Sequence, residues 1–200
     1  MQGDKQNTPL FGLVLAGGQS RRMGSDKALL RHDGRTQLAV AVELLTPVTG
    51  KQFVSTRPDQ RDDPERSRYE QIVDRYENMG PVAGILSAMD AHPDADWLVV
   101  ACDLPNLDSE TLVYLKTHLD TSKPFTAYQS SHDGLPEPLC AIYRRGSDSI
   151  IRSFVDDGLV CPRKMLIRSD TRLLRQPNPA SLDNVNTPED LATSVLEASG

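Results

Sequence analysis

The sequence predicts an α/β fold in which a mostly parallel β-sheet carries helices on both faces. Short apolar runs alternate with segments whose apolar residues recur at helical spacing, which is the pattern of successive βαβ units. The run WLVVA at 97–101 is apolar throughout, as expected of a central parallel strand covered on both faces. A length of 200 residues favours one domain, which we assign to residues 10–200, with residues 1–9 as a disordered tail.

The first half of the chain contains three predicted strands. The first is LFGLVL at Leu10–Leu15, which leads directly into a loop with two glycines. A helix follows, because the apolar residues from Leu38 to Leu45 share one face at helical spacing. Short apolar runs at 53–55 and 72–73 predict the other two strands. The segment between these strands is highly charged and broken by prolines, so we expect a solvated connection and not a core element.

The second half begins with a predicted helix at 81–89, since Pro81 is well tolerated at a first helical position. The apolar strand at 97–101 follows, and Asp108 is placed to cap the next helix. Further predicted elements are strands at 125–129 and 139–143 and a C-terminal helix that begins at Thr187. Residues 158–184 show no pattern that predicts an element.

Composition excludes several classes of protein. With 25% charged and 38% hydrophobic residues, the chain resembles a folded globular domain and not a disordered or collagen-like one. The formal net charge of −6 argues against a dedicated nucleic-acid binder. The polar N-terminus lacks the core of a signal peptide, and no stretch approaches the ~20 apolar residues of a membrane span. Because the three cysteines also lack metal-ligand spacing, we expect a reduced, cytoplasmic protein with no membrane partner.

The loop after the first strand has the composition of a nucleotide-binding loop. Gly17 and Gly18 let the backbone turn sharply and approach a ligand, so that successive N–H groups can meet an anion or a base edge. The loop is not a Walker A motif, because Gly18 and Gly24 are separated by five residues and no Lys-Ser/Thr pair follows. The G-x-G-x-x-G dinucleotide motif is also missing.

Residues 21–35 form a basic island on an acidic protein. They contain five basic and two acidic residues, which gives a local charge of +3. Arginine guanidinium groups and the Lys27 ammonium group beside a glycine-rich loop suit a triphosphate, whose leaving pyrophosphate must be neutralised. The alternative interpretation is a solvated basic helix face beside a β-turn.

Aspartates follow two of the predicted strands. Asp103 comes just after the apolar strand at 97–101, and Asp74 ends the strand at 72–73. Open α/β folds place ligands at the carboxyl edge of the sheet, where Mg²⁺ binds one or two carboxylates together with phosphate oxygens. An aspartate in either position could equally be a turn or helix-cap residue, so it is the combination of glycine loop, Lys27 and Asp103 that points to a metal–nucleotide site.

Four motifs in the same order along the chain resemble the molybdenum cofactor guanylyltransferase family. They are LAGG-x-S-x-R-M-G-x-D-K-A-L from Leu15, GPVAGILSAM from Gly80, CDLP from Cys102 and NVNTPEDL from Asn184. The third residue of the first motif is glycine, whereas the related cytidylyltransferases tend to carry LAAG. The resemblance implies a Rossmann-like fold of the nucleotide-diphospho-sugar transferase type.

The resemblance also implies roles for individual residues. It assigns Leu15, Ala16, Gly17 and Gly18, with Lys27, Asp74 and Asp103, to nucleotide binding. Arg22, Lys27 and Asp103 are the implied catalytic residues, Asp103 is the implied Mg²⁺ ligand, and Asn184 and Asn186 are placed on the pterin side of the site.

One departure from the family concerns the second predicted strand, which here ends in FVSTR where relatives often have asparagines. A polar contact to the nucleotide is therefore absent or made by Ser55 or Thr56. The segment at 134–139 borders the second substrate in this family, although it could equally be a rigid loop that enters an edge strand.

The implied reaction is transfer of GMP from Mg-GTP to molybdopterin-bound molybdenum, with release of pyrophosphate. Molybdoenzymes or their chaperones are the further partners that the resemblance suggests. Two alternatives remain open at this point. The chain could use CTP or another nucleotide, or it could be a non-catalytic carrier of a nucleotide or pterin.

Overall fold

The computed structural model describes residues 8–18 and 26–183, and it is built around one seven-stranded sheet. The strands are β1 (Leu10–Leu15), β2 (Arg31–His32), β3 (Arg35–Thr36), β4 (Lys51–Thr56), β5 (Gln71–Val73), β6 (Asp96–Ala101), β7 (Phe125–Gln129), β8 (Pro136–Tyr143) and β9 (Thr171–Arg175). The α-helices are α1 (Gln37–Leu45), α2 (Pro81–Ala91), α3 (Ser109–Thr117), α4 (Asp148–Asp156) and α5 (Pro162–Ile167).

The sheet has the order β5-β4-β1-β6-β8-β7-β9, while β2 and β3 form a separate hairpin. β5, β4, β1 and β6 run parallel, as do β7 and β9, and β8 is antiparallel to both of its neighbours. The prediction of a mostly parallel sheet is thus confirmed. β6 is the fourth of the seven strands and all its residues are buried, which confirms the central strand predicted from its continuous apolar run.

Helices cover both faces of the sheet and divide the core into two layers. On one face, Leu38 and Leu45 of α1 pack with Leu112 and Leu115 of α3. On the other face, α2, α4 and α5 contribute the buried side chains Ile85, Leu86, Ile151 and Leu166. Each such aliphatic side chain stabilises the fold by about 1.5–3 kcal/mol when it is fully buried. This face-by-face division is the physical basis of the alternating strand and helix pattern in the sequence.

The predicted helix starts at 81 and 109 agree with the structure. Pro81 is the first residue of α2, and Asp108 caps α3 by accepting a hydrogen bond from Thr111 N at 2.7 Å. No helix in the described ranges is long and apolar enough to cross a membrane. The C-terminal helix predicted from Thr187, residues 1–7 of the predicted tail, and Arg22, Asn184 and Asn186 lie outside the described residues.

One expectation about an individual segment is wrong, and one stretch with no predicted element contains two. β8 starts at Pro136 and lies between β6 and β7, so the alternative of a loop leading to an edge strand does not hold. Pro136 is tolerated because it is the first residue of the strand, and a register shift follows in the partner strand between Ala127 and Tyr128. Residues 158–184, which gave no signal, contain α5 and the edge strand β9.

The connection from β4 to β5 is also more than a solvated loop. It contains short 3-10 turns at Pro58–Gln60 and Arg66–Arg68, and most of its residues are exposed or half-buried, as expected. Arg66, however, is only 1% exposed. A charged side chain can be buried in this way only if its hydrogen-bonding groups find partners, and those of Arg66 are Ala16 O in the glycine loop and the carboxylates of Asp26 and Asp63.

Candidate active site

The carboxyl ends of β1, β4, β5 and β6 border a cleft of about 970 Å³. The four strands are parallel and end at nearly the same level, since Leu15 pairs with both Ser55 and Ala101, and Thr56 pairs with Val73. The loops that follow these strands therefore meet at one edge of the sheet. Cleft-lining residues include seven that the sequence singled out, namely Leu15, Ala16, Gly17, Gly18, Lys27, Asp74 and Asp103.

Lys27 and Asp103 form an ion pair in this cleft. Lys27 Nζ lies 3.0 Å from Asp103 Oδ2, and the two side chains are 17% and 20% exposed. Lys27 opens a 3-10 turn whose cap is Asp26, because Asp26 Oδ1 accepts a hydrogen bond from Ala28 N at 3.0 Å. Asp103 is held two residues after the end of β6. An ammonium group and a carboxylate that are 76 positions apart in the sequence are thus in contact at the cleft wall.

The backbone of the glycine loop is held by groups from β4 and from the segment after it. Ala16 N donates to Ser55 O at 3.2 Å. Ala16 O accepts hydrogen bonds from Arg66 Nη2 at 2.7 Å and Arg66 Nε at 3.2 Å. Gly17 O accepts a hydrogen bond from Arg57 Nη1. Neither arginine is predictable as a site residue from the sequence, because neither its charge nor its spacing indicates that its guanidinium reaches a backbone carbonyl.

Asp74 is a largely buried carboxylate between the glycine loop and β4. Its Oδ1 accepts a hydrogen bond from Ser55 Oγ at 2.7 Å. Burial raises the pKa of Asp74 to about 6, although the Ser55 hydrogen bond and the positive charge of Arg57 oppose the shift. A Cβ atom on Gly17 would lie 3.2 Å from Asp74 Oδ2, so the absence of a side chain at Gly17 lets the loop approach this carboxylate.

The end of β4 brings Ser55 to the cleft, and Arg57 follows it there. Ser55 lines the cleft, but its hydroxyl donates to Asp74. Thr56 is fully buried, and its Oγ1 donates to Gln71 Oε1 at 3.0 Å. Arg57, one residue further on, lines the cleft and is the charged residue that this strand end provides.

Comparison with known proteins places this fold and cleft in one family. The MobA-like NTP transferase domain matches residues 12–172, which is most of the chain. The chain belongs to this family. It is accordingly a nucleotidyltransferase, and its sheet and helices have the architecture of the nucleotide-diphospho-sugar transferase type.

Two curated relatives of this MobA-like protein carry informative names. A molybdenum cofactor biosynthesis bifunctional protein from Synechocystis is 36% identical over 189 residues, covering 94% of this chain and 54% of its own length. The chain thus spans about half of that relative. A protein from Trichormus variabilis named probable molybdenum cofactor guanylyltransferase is 33% identical over 192 residues, covering 92% of this chain and 89% of its own length.

Solved structures show the same fold. Molybdopterin-guanine dinucleotide biosynthesis protein A from Archaeoglobus fulgidus superposes with a TM-score of 0.75 at 24% identity, covering 92% of this chain and 95% of the other. A CMP:2-keto-3-deoxy-manno-octonic acid synthetase complexed with CTP superposes with a TM-score of 0.71 at 15% identity, covering 92% and 96% of the two chains. At these identities the likeness establishes the architecture only.

The rim of the cleft in this MobA-like domain is tied to two helices. Tyr76, in the loop after β5, donates its hydroxyl proton to Asp90 Oδ2 of α2 at 2.6 Å. Arg152 of α4 donates to Tyr76 Oη at 3.0 Å and also to Asp90 Oδ1. The loop turns sharply after Tyr76, where Gly80 has a φ of +53°. These contacts give the rim a defined shape opposite the glycine loop.

α2 lies unusually close to the strands beneath it. A Cβ atom on Gly84 would lie 2.3 Å from Ser55 Oγ and 2.9 Å from Leu15 Cδ2. Only glycine therefore allows this approach, which places the first turns of α2 beside the cleft. The structure thus gives a packing reason for the glycine in the GPVAG segment.

A smaller pocket of about 160 Å³ lies next to the cleft. Glu137, Pro138 and Leu139 form part of its wall, together with Leu104, and Leu139 also lines the main cleft. Residues 137–139 of the segment at 134–139 thus line the small pocket, and Leu139 lines the cleft as well.

The charged groups of the cleft suit a magnesium nucleotide better than a metal held by protein alone. Among the described residues no three His, Cys, Asp or Glu side chains are grouped to hold a metal ion. Asp103 offers a hard, partly exposed carboxylate, which is the kind of ligand that Mg²⁺ combines with phosphate oxygens. Burial raises the pKa of the neighbouring Cys102 thiol, which keeps it protonated and makes it a packing residue, not a nucleophile.

Proposed function

We propose that this protein transfers GMP from Mg-GTP to the terminal phosphate of molybdopterin that carries molybdenum, and releases pyrophosphate. The contact between Lys27 Nζ and Asp103 Oδ2 beside the glycine loop carries the proposal, because it joins a phosphate-binding cation to a metal-binding carboxylate in one cleft. The names of the relatives from Synechocystis and Trichormus variabilis support the choice of substrates.

The proposed reaction is a substitution at the α-phosphorus of GTP. An oxygen of the acceptor phosphate forms a bond to this phosphorus, and the bond to the oxygen that bridges to the β-phosphate breaks. The electron pair of that bond leaves with pyrophosphate. Since the acceptor phosphate is already anionic at neutral pH, no general base is required, and catalysis consists of positioning and neutralising charge.

Different residues of the cleft have different proposed roles in this reaction. Leu15, Ala16, Gly17 and Gly18 seat the nucleotide through their backbone, and the Asp74 carboxylate faces the same end of the cleft. Lys27 and Arg22 neutralise the charge that develops on pyrophosphate. Nucleotidyltransferases of this family generally use a divalent metal, and Mg²⁺ held by Asp103 and the nucleotide phosphates would supply further charge neutralisation.

The acceptor is proposed to bind in the small pocket, which is lined by residues 137–139. Leu139 lines both this pocket and the cleft, so a group bound there would lie next to the nucleotide site. Asn184 and Asn186 are proposed to contact the pterin. Molybdoenzymes or their chaperones are proposed to receive the product.

One assay tests the function directly. Purified protein is mixed with molybdopterin-bound molybdenum, Mg²⁺ and each nucleoside triphosphate in turn, and dinucleotide and pyrophosphate are measured. Formation of the guanine dinucleotide from GTP alone is the expected result. Faster product formation from CTP would identify a cytidylyltransferase, and GTP binding without pyrophosphate release would identify a carrier.

A further inference from the structure

Two successive carbonyl oxygens of the glycine loop accept hydrogen bonds from arginines of a single segment. Arg66 donates to Ala16 O through Nη2 at 2.7 Å and Nε at 3.2 Å, and Arg57 donates to Gly17 O through Nη1. Both arginines belong to residues 57–70, which connect β4 to β5. We propose that this connection is a clamp that sets the shape of the nucleotide-binding loop, with Arg57 and Arg66 as positioning residues. The inference rests on the proposed function for its ligand.

The hydrogen bonds to these two carbonyl oxygens also fix the direction of the N–H groups in the same peptide units. In a planar trans peptide the C=O and the N–H point in opposite directions, and the described residues contain no cis peptide bond. Arg66 therefore sets the direction of the Gly17 N–H, and Arg57 sets that of the Gly18 N–H. Both glycines line the cleft, and among the described residues neither N–H has an acceptor within the protein. Their amides are the donors that a bound nucleotide can use.

Arg66 is suited to this role because its guanidinium is buried and fully engaged. Besides Ala16 O, it contacts Asp26 Oδ2 at 2.7 Å and Asp63 Oδ1 at 3.3 Å. A planar guanidinium can serve three acceptors in fixed directions, whereas a lysine ammonium group has a different shape and reach. Arg66 is also 1% exposed, so the contacts are shielded from solvent.

The same guanidinium joins the glycine loop to Lys27. Asp26, which pairs with Arg66, caps the turn that Lys27 begins. A displacement of Arg66 therefore changes the position of the loop backbone and of the Lys27 ammonium group together. Arg57 has no comparable link to Lys27, because its remaining nitrogens bind Asp59. Its Nε and Nη2 each lie 2.9 Å from a carboxylate oxygen of that residue.

The two arginines should thus give different kinetic effects when they are replaced. Arg57→Lys is expected to raise KM for GTP about tenfold with little change in kcat, since one charge-assisted hydrogen bond that orients a binding amide is lost. Arg66→Lys is expected to raise KM and to lower kcat as well, because Lys27 moves with the loop. Arg144→Lys is the matched control. Arg144 pairs with the carboxylate of Asp96, which is the first residue of β6 and lies at the end of that strand away from the cleft.

The decisive measurement uses nucleotide-free protein. In ¹H–¹⁵N correlation spectra, Arg66→Lys is expected to move the Gly17 amide signal and Arg57→Lys the Gly18 signal, while Arg144→Lys leaves both in place. Direct titration with GTP should show weaker binding for both clamp variants and wild-type affinity for the control. If Arg66→Lys does not fold, as judged by circular dichroism, Arg57→Lys alone decides the test.

Unchanged glycine amide signals in the clamp variants would overturn the inference. So would amide signals that move while GTP affinity stays at the wild-type value. If the wild-type protein binds no GTP but the glycine signals move as expected, the clamp stands and the proposed function fails. The spectra and the titration therefore separate the two hypotheses.

Discussion

At the scale of single residues, the cleft depends on charged groups that are distant in sequence and paired in space. Lys27 follows the glycine loop and Asp103 follows β6, yet their side chains lie 3.0 Å apart. Neither residue type is informative alone, since a lysine after a loop and an aspartate after a strand are common. Their contact within the cleft is what favours phosphoryl chemistry over a structural role.

Removal of either charge should abolish most of the activity. Lys27→Ala and Asp103→Ala are each expected to lower the rate of guanine dinucleotide formation by about 10²- to 10³-fold, the usual effect of deleting a group that stabilises the transition state. Both side chains are partly exposed, so the melting temperature should change little. Asp156→Ala, at an exposed position in α4, is the control. Wild-type turnover of GTP by either variant would show that the assignment is wrong.

The Asp74 carboxyl group should make stability depend on pH. Its pKa in the folded protein, about 6, is raised above the ordinary aspartate value by burial. As the pH falls from 6 towards 4, the folded state takes up a proton before the unfolded state does, so the free energy of unfolding increases. Asp74→Asn removes this contribution. Urea titrations between pH 4 and 7 should therefore show a stability difference between the two proteins that changes with pH, whereas a constant difference would contradict the shift.

At the scale of secondary structure elements, apolar patterns predicted α1, α2, α3 and every strand of the seven-stranded sheet except β9, but neither α4 nor the β2–β3 hairpin. The boundaries of β1 agree with the sequence because the strand is bounded by a proline and a glycine pair. The sequence predicts β8 from 139, three residues after its actual start, because prolines at 136 and 138 resemble a loop. α5 has six residues, of which two are buried, and β9 has five, of which one is buried. These are too few buried residues to produce a periodic pattern.

The close packing of α2 on the strands gives a prediction at this scale. Gly84→Ala would place a Cβ atom 2.3 Å from Ser55 Oγ, so the hydroxyl must leave its hydrogen bond with Asp74. We expect a loss of about 1–3 kcal/mol in the free energy of unfolding, as for other overpacked sites, together with weaker GTP binding. Thermal or urea denaturation and a GTP titration measure the two effects.

A second substitution separates this contact from other effects of alanine in α2. Ser55→Ala removes the clashing oxygen, so the double variant should be more stable than the sum of the single effects predicts. Strict additivity would show that Gly84 and Ser55 are not coupled.

At the scale of the whole molecule, the sheet topology brings the residues of the site together. Four parallel strands end at one edge of the sheet, and their loops bring residues 15–18, 74 and 103 to a single cleft. The net charge of −6 argued against nucleic acid, but it did not exclude one anionic nucleotide, because Lys27, Arg57 and Arg75 line the cleft together with five carboxylates. The net charge of the chain therefore bears on nucleic-acid binding and not on one nucleotide in one cleft.

A nucleotide that contacts several strand ends should stabilise the entire fold. At a hundred times its Kd, GTP with Mg²⁺ contributes about 2.7 kcal/mol, which corresponds to a rise in melting temperature of about 5–10 °C for a domain of this size. Scanning calorimetry with GTP, CTP, ATP and UTP at equal concentrations tests base selection without the acceptor. An equal or larger shift with CTP would contradict guanine selectivity.

The sequence by itself determined the fold class, the central strand and seven of the residues that line the cleft. These features follow from local chemistry, because burial imposes a period on apolar residues and because glycine, lysine and aspartate motifs occur at strand ends. The clamp by Arg57 and Arg66, the ion pair of Lys27 with Asp103 and the interior place of β8 were decided only by tertiary structure. Each of them joins groups that are remote in sequence, and a buried guanidinium has no pattern in the chain that distinguishes it from a solvated one.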